Sequence, residues 1–139
     1  SEGRAGPELG RRIFFEGYAD HHVIREHYMK AAVLVNPSLS ESFGISLVEA
    51  MMMKIPVVAT RVGGMQHTVI DGQTGFLIDP ADPEALARGI VNVLTNPELA
   101  GRLGESGCTR AHEHFSWEST TDNLVTAYAN ARRRSGFSA

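Results

Sequence analysis

Apolar positions in this chain gather into short dense runs, separated by polar breaks rich in glycine and proline. Val33-Leu34-Val35, stopped by Asn36-Pro37, reads as a buried strand of the parallel kind. Ile55-Pro56-Val57-Val58-Ala59-Thr60 is a second strand, with its proline near the start, where a strand tolerates one. Gly75-Phe76-Leu77-Ile78, closed by Asp79-Pro80, is a third. A further strand is expected ahead of these, over Arg12-Ile13-Phe14-Phe15-Glu16 and closed by Gly17. Residues 1–10 read as a loose polar leader, and residues 11–139 as one domain.

Helical spacing fills the gaps. His22 to Ala32 carries Val23, His27, Met29 and Ala31 at helical intervals. Phe43 to Met53, opening near Ser42 or Phe43, is apolar over so much of its surface that it must pack on two sides, with Met51, Met52 and Met53 as core filler. Val62-Gly63-Gly64 turns into a short segment, Met65 to Ile70, and Asp71-Gly72 is another turn. Asp82-Pro83-Glu84 and Asn96-Pro97-Glu98 each supply a capping acceptor, a proline for the first helical position and an acid for the first turn. Ser116 caps a last helix, from about Trp117 to Arg134, with Leu124, Val125, Tyr128 and Ala131 as its inward stripe and Trp117 as a packing anchor. Strands alternating with helices require crossover connections. The fold class is therefore α/β: a Rossmann-like parallel sheet with helices on both faces.

Composition narrows the function classes. Across 139 residues, 13 basic groups face 16 acidic ones, a formal net charge of -3. That balance argues against a general nucleic-acid binder and against attraction to anionic membranes by net charge. The single cysteine, Cys108, excludes an intrachain disulfide and reads as a small buried or half-buried residue near a helix end. No apolar run reaches the roughly 18–20 residues of a membrane span, no secretory signal pattern is visible, and a cytoplasmic location is expected. His112-Glu113-His114 is no metal site by spacing, because i and i+2 diverge on a helix; no metal and no cofactor are expected. Arg132-Arg133-Arg134 complements the dipole at the end of the last helix.

The chemistry concentrates between Pro37 and Glu49. A parallel strand ends at Pro37, a serine-rich turn follows, and a helix opens. Open α/β sheets bind ligands at this carboxyl end, and a helix start offers free N–H groups and positive dipole to a phosphate. Gly44 permits close approach of a ligand to the backbone. Glu41 and Glu49 are eight residues apart, about 12 Å along a helix. One carboxylate can hold the hydroxyls of a sugar and the other those of a ribose, with a diphosphate between them. A plainer reading stands beside it: Ser38-Leu39-Ser40-Glu41 fits a capping box, and Glu49 fits a solvated helix residue.

PSLSESFGISLVEAM, IPVVATRVGG, DGQTGFLIDPADPEALA and FSW, in that order, resemble the retaining GT-B glycosyltransferases of the glycogen-synthase-like and sucrose-synthase-like group, over about Arg12 to Tyr128. The resemblance implies the C-terminal, donor-binding domain of a GT-B fold. It gives Glu41 contact with the donor sugar as the catalytic acid of the site. Phe43, Gly44 and Ile45 become the turn whose N–H groups reach donor hydroxyls and phosphate. Ser46 and Leu47 then meet the diphosphate, and Glu49 binds the ribose. Gly17, Tyr18 and Ala19 fall beside the nucleobase, and Gly63 and Gly64 face the interdomain cleft. Two departures stand out. Met53-Lys54 replaces a small residue and glycine before the strand, where Lys54 reads as a solvated turn residue, and His67 stands where the family often has glutamate.

The implied reaction moves a hexose from a UDP-, GDP- or ADP-linked sugar to an unspecified acceptor, with retention. Neither the family's basic Arg and Lys pair nor its N-terminal acceptor domain has a counterpart here, so the chain is expected to be a fragment, inactive alone. In the strand order 3-2-1-4-5-6 its strands would be 3, 4, 5 and 6, leaving an exposed sheet edge prone to self-association. The alternatives are a phosphorylase or epimerase of the same architecture, and a non-catalytic nucleotide-sugar-binding or assembly module.

Overall fold

The computed structural model describes residues 13–135; the leader at residues 1–10 and the start of the first expected strand lie outside them. Three strands form a parallel sheet in the order β1 (Leu34–Asn36), β2 (Val57–Thr60), β3 (Phe76–Ile78). Val35 pairs with Val58, and Ala59 with Leu77. Six helices accompany them among the described residues: α1 (His21–Lys30), α2 (Ile45–Met52), α3 (Met65–Thr68), α4 (Pro83–Thr95), α5 (Pro97–Phe115) and α6 (Trp117–Ser135).

β2 explains the layering. All four of its residues are buried, and consecutive side chains point to opposite faces. Val57 and Ala59 enter one cluster with Leu47, Ala50 and Met51 of α2, Met65 of α3 and Ala111 of α5. Val58 enters a second cluster with Val93 of α4 and Leu103 of α5. The 19 residues of α5 extend about 28 Å, enough to serve both clusters. Full burial of each valine, leucine or methionine among them contributes about 1.5–3 kcal/mol. Met51 is fully buried, and Met52 and Met53 pack on the cluster's rim, as their gap-filling role predicts.

The capping chemistry is as read. Asp82 accepts from the Ala85 N–H at 2.8 Å, Asn96 from the Leu99 N–H at 3.0 Å, and Ser116 from the Ser119 N–H at 3.1 Å. Lys54 is an exposed turn residue, in the left-handed region at φ 61° and paired with Glu105 at 2.9 Å. Cys108 is half-buried but sits mid-helix, with its thiol toward the Met52 carbonyl at 3.5 Å.

Three further expectations are corrected. Residues 13–17 form no strand: Phe14 and Phe15 are exposed, because no strand among the described residues lies beside them to take their backbone bonds. The α6 stripe does not point inward. Leu124, Val125 and Tyr128 are exposed, and Trp117 is 84% exposed and anchors nothing, because no described element covers that face. The third concerns the start of α2.

Candidate functional site

α2 begins at Ile45, two residues later than expected, because its N-cap is Gly44 in the left-handed region at φ 84°. A side chain there is strained, and its Cβ would meet Leu47 at 3.1 Å and Met65 at 3.2 Å. Ser38 to Glu41 is therefore not a capping box. The Glu41 carboxylate turns back on its own loop, where the Phe43 N–H approaches it at 3.5 Å.

Four residues tie down the loop from Pro37 to Gly44. The Asn36 side chain accepts from the Ser38 N–H at 3.1 Å and the Ser38 hydroxyl at 2.7 Å, turning the chain out of β1. Thr60, at the end of β2, donates its hydroxyl to the Ser38 carbonyl. The Gly64 N–H donates to the Glu41 carbonyl at 3.1 Å, and Thr68 donates its hydroxyl to the Phe43 carbonyl at 3.0 Å. Gly63 and Gly64 thus lie directly behind the acidic loop. A Cβ on Gly63 would run into the Glu41 carbonyl, and one on Gly64 into that of Ser42.

Leu47 donates its N–H to the Gly44 carbonyl at 2.9 Å and buries its side chain completely. Any ligand at this end of α2 meets the first-turn N–H groups of exposed Ile45 and half-buried Ser46, which have no acceptor within the helix.

Glu49 lies further along α2. It lines a cavity of 310 Å³ between α1 and α2, together with Ile24, Arg25, Tyr28, Met52 and Met53. Tyr28 donates its phenol to the Glu49 carboxylate at 3.1 Å. Burial first, then the charge and hydrogen bond of Glu49, push the Tyr28 pKa up to about 12, so the phenol is a neutral donor at physiological pH. Tyr28 went unnoticed in the sequence, although Ile24 and Tyr28 fall four apart on one helix face, spacing that marked the inner side of α1. The Gly17-Tyr18-Ala19 turn leads into α1, with Gly17 at φ 67°, Tyr18 exposed and Ala19 half-buried. It does not line the cavity itself, which begins at His21.

The structure therefore assembles Glu41, Phe43, Gly44, Gly63 and Gly64 into one unit, and places Glu49 at a neighbouring apolar cavity. Among the described residues, no group of three or more His, Cys, Asp and Glu side chains is arranged to hold a metal ion. No helix among them is long and apolar enough to cross a membrane.

Comparison with known proteins gives the family and the fold. The family model described as glycosyl transferases group 1 matches residues 6–110. D-inositol 3-phosphate glycosyltransferase of Thermobifida fusca (strain YX) is 46% identical over 106 residues, which are 76% of this chain and 24% of that one. Sucrose-phosphate synthase from Thermosynechococcus elongatus superposes with a TM-score of 0.81 at 38% identity, over 91% of this chain and 32% of that one. Alr3699/HepE from Anabaena, solved in complex with UDP, shares the fold with a TM-score of 0.80 at 24% identity, over 88% of this chain and 34% of that one. The chain thus spans less than a third of the first of these relatives' length.

Proposed function

Because the chain belongs to the glycosyl transferases group 1 family, we propose that it is the donor-binding part of a retaining glycosyltransferase that moves a hexose from a nucleotide diphosphate sugar to an acceptor. The observation that carries this reading is the placement of Glu49, held by Tyr28 beside a 310 Å³ apolar cavity, on the same short helix whose start is presented by the Glu41 loop.

On this reading the nucleoside lies between α1 and α2. Its ribose hydroxyls donate to Glu49, whose carboxylate is oriented by the Tyr28 phenol. The base lies toward the Gly17-Tyr18-Ala19 turn. The diphosphate meets the Gly44–Ser46 backbone at the positive end of α2. Glu41 accepts hydroxyls of the transferred hexose and fixes its anomeric carbon for attack, while Gly63 and Gly64 keep the rear of the loop free of side chains.

As the sugar–phosphate bond breaks, negative charge grows on the leaving diphosphate and must be met by fixed positive potential. The first turn of α2 supplies part of it. Arg61 and Arg110 do not, because both hold structural partners: Arg61 binds Asp71 at 2.7 Å, and Arg110 binds the His67 carbonyl at 2.6 Å. Arg25 lines the nucleoside cavity, and on this reading further cations and the acceptor site belong to other parts of the whole protein. No metal ion enters the proposed reaction.

Calorimetric titration with UDP-, GDP- and ADP-glucose tests the reading. Saturable binding of one of them is expected. A folded sample that binds none would overturn the donor-site assignment for this chain.

A further inference from the structure

Arg110 lies on α5 and does not line the cavity. Its Nε donates to the Thr68 carbonyl at 2.9 Å and its Nη2 to the His67 carbonyl at 2.6 Å, at the end of α3. Its guanidinium also lies 5.6 Å from the centre of the Phe115 ring, a cation–π distance. Phe115 in turn meets Phe43 edge to face, with centroids 5.6 Å apart and an interplanar angle of 84°. Thr68 donates its hydroxyl to the Phe43 carbonyl at 3.0 Å. Two separate routes therefore run from one guanidinium to one residue. One passes through the aromatic pair to the Phe43 side chain. The other passes through Thr68 to the Phe43 backbone.

We propose that Arg110 is a positioning residue that sets the Phe43 turn, and with it Glu41 and the first N–H groups of α2, from behind. A guanidinium serving only to cap α3 would account for the two carbonyl bonds. It would not account for the ring stacked between it and Phe43. Arginine suits the role because its planar fork spans two carbonyls while its face lies on an aromatic ring, which a lysine ammonium cannot do. The brace acts on the sugar-and-phosphate end of the site. Glu49 is held by Tyr28 from α1, a different element, and is not part of it.

The consequence for ligands rests on the donor-site reading above, so the test has two arms. Amide hydrogen exchange is compared in the wild-type protein, Arg110→Lys, Arg110→Gln and Phe115→Leu. Affinity for UDP-, GDP- and ADP-glucose is measured beside that for the matching nucleoside monophosphates. In Arg110→Gln, the amides of Leu47, Val48 and Gly64, which donate to the Gly44 and Glu41 carbonyls of the loop, should exchange about tenfold faster, a loss in keeping with one charge-assisted hydrogen bond, while β2 and α4 keep their wild-type rates. Affinity for the sugar nucleotide should fall by a similar factor, and that for the monophosphate by less than about twofold. Arg110→Lys should not restore the wild-type pattern. Phe115→Leu, which removes only the ring contact, should give the same pattern at smaller size. Unchanged exchange at Leu47, Val48 and Gly64, or acceleration spread evenly over the chain with both ligands weakened alike, would overturn the proposal. If the wild-type protein binds no sugar nucleotide, the donor-site reading fails, and the exchange arm alone decides the brace.

Discussion

The phenol of Tyr28 on α1 and the carboxylate of Glu49 on α2 are joined at 3.1 Å across 21 positions of chain. A carboxylate held in this way keeps lone pairs for a ligand's hydroxyls while its rotation is restricted. Tyr28→Phe should therefore weaken nucleotide binding by about three- to tenfold, the loss of one orienting hydrogen bond. Glu49→Gln should weaken it more than Glu41→Gln does. Calorimetry with the bare nucleoside diphosphate checks both, and equal affinities in all the proteins would contradict the ribose assignment.

The same pair makes stability depend on pH at the alkaline end. The Tyr28 pKa is raised from 10.0 in the unfolded chain to about 12 in the fold. Between those values the unfolded chain releases the proton and the folded one keeps it. The contribution is therefore whole below pH 10 and is lost as pH rises toward about 12. Thermal melts from pH 9 to 12 should show a steeper decline in the wild-type protein than in Tyr28→Phe.

Gly64→Ala places a methyl group against the Ser42 carbonyl. Overpacking of this kind costs about 1–3 kcal/mol. Because the strain falls on the acidic loop, sugar-nucleotide affinity should drop with stability. Chemical denaturation paired with titration measures the two together.

Lys54 occupies a left-handed conformation that costs a side chain about 1–2 kcal/mol. Its ion pair with Glu105 is exposed on both sides, so solvent screening leaves it little to return. Lys54→Gly should raise stability by about 0.5 kcal/mol after the added freedom of the unfolded chain is counted. Lys54→Ala keeps the strain, loses the pair, and should lower stability slightly; denaturant midpoints of both variants decide it.

Met51→Ala should cost about 2–5 kcal/mol by opening a cavity among fully buried neighbours. Trp117→Ala should stay within about 0.5 kcal/mol of wild type, as exposed positions do. A large loss at Trp117 would show that its ring is covered in solution.

The reading of the sequence succeeded where local chemistry decides structure. Asp82-Pro83 and Asn96-Pro97 carry their own start signals, and β2 announces itself by an unbroken apolar run. It failed where the decisive partner is remote or outside the described residues. Ile13-Phe14-Phe15 has strand composition, but a strand exists only beside another. The α6 stripe has true helical period without a described surface to meet it. At Gly44 the helix start depends on a left-handed residue that spacing alone does not reveal. The family resemblance singled out Glu41 and Phe43, and gave Gly63 and Gly64 separately as a cleft-facing loop, without their contact with the Glu41 loop. Tyr28 and Arg110 were not, because their roles arise from contacts 21 and 42 positions away.

β2 carries one last consequence. Val57 and Val58 stand back to back, so the cluster under the site and the cluster under α4 meet through one strand. Neither can be lost while the other survives. An inherited change at Val93 or Leu103, on the side remote from the cavity, would thus be felt in a cell as a shortage of folded protein, with the cavity of each surviving molecule unaltered.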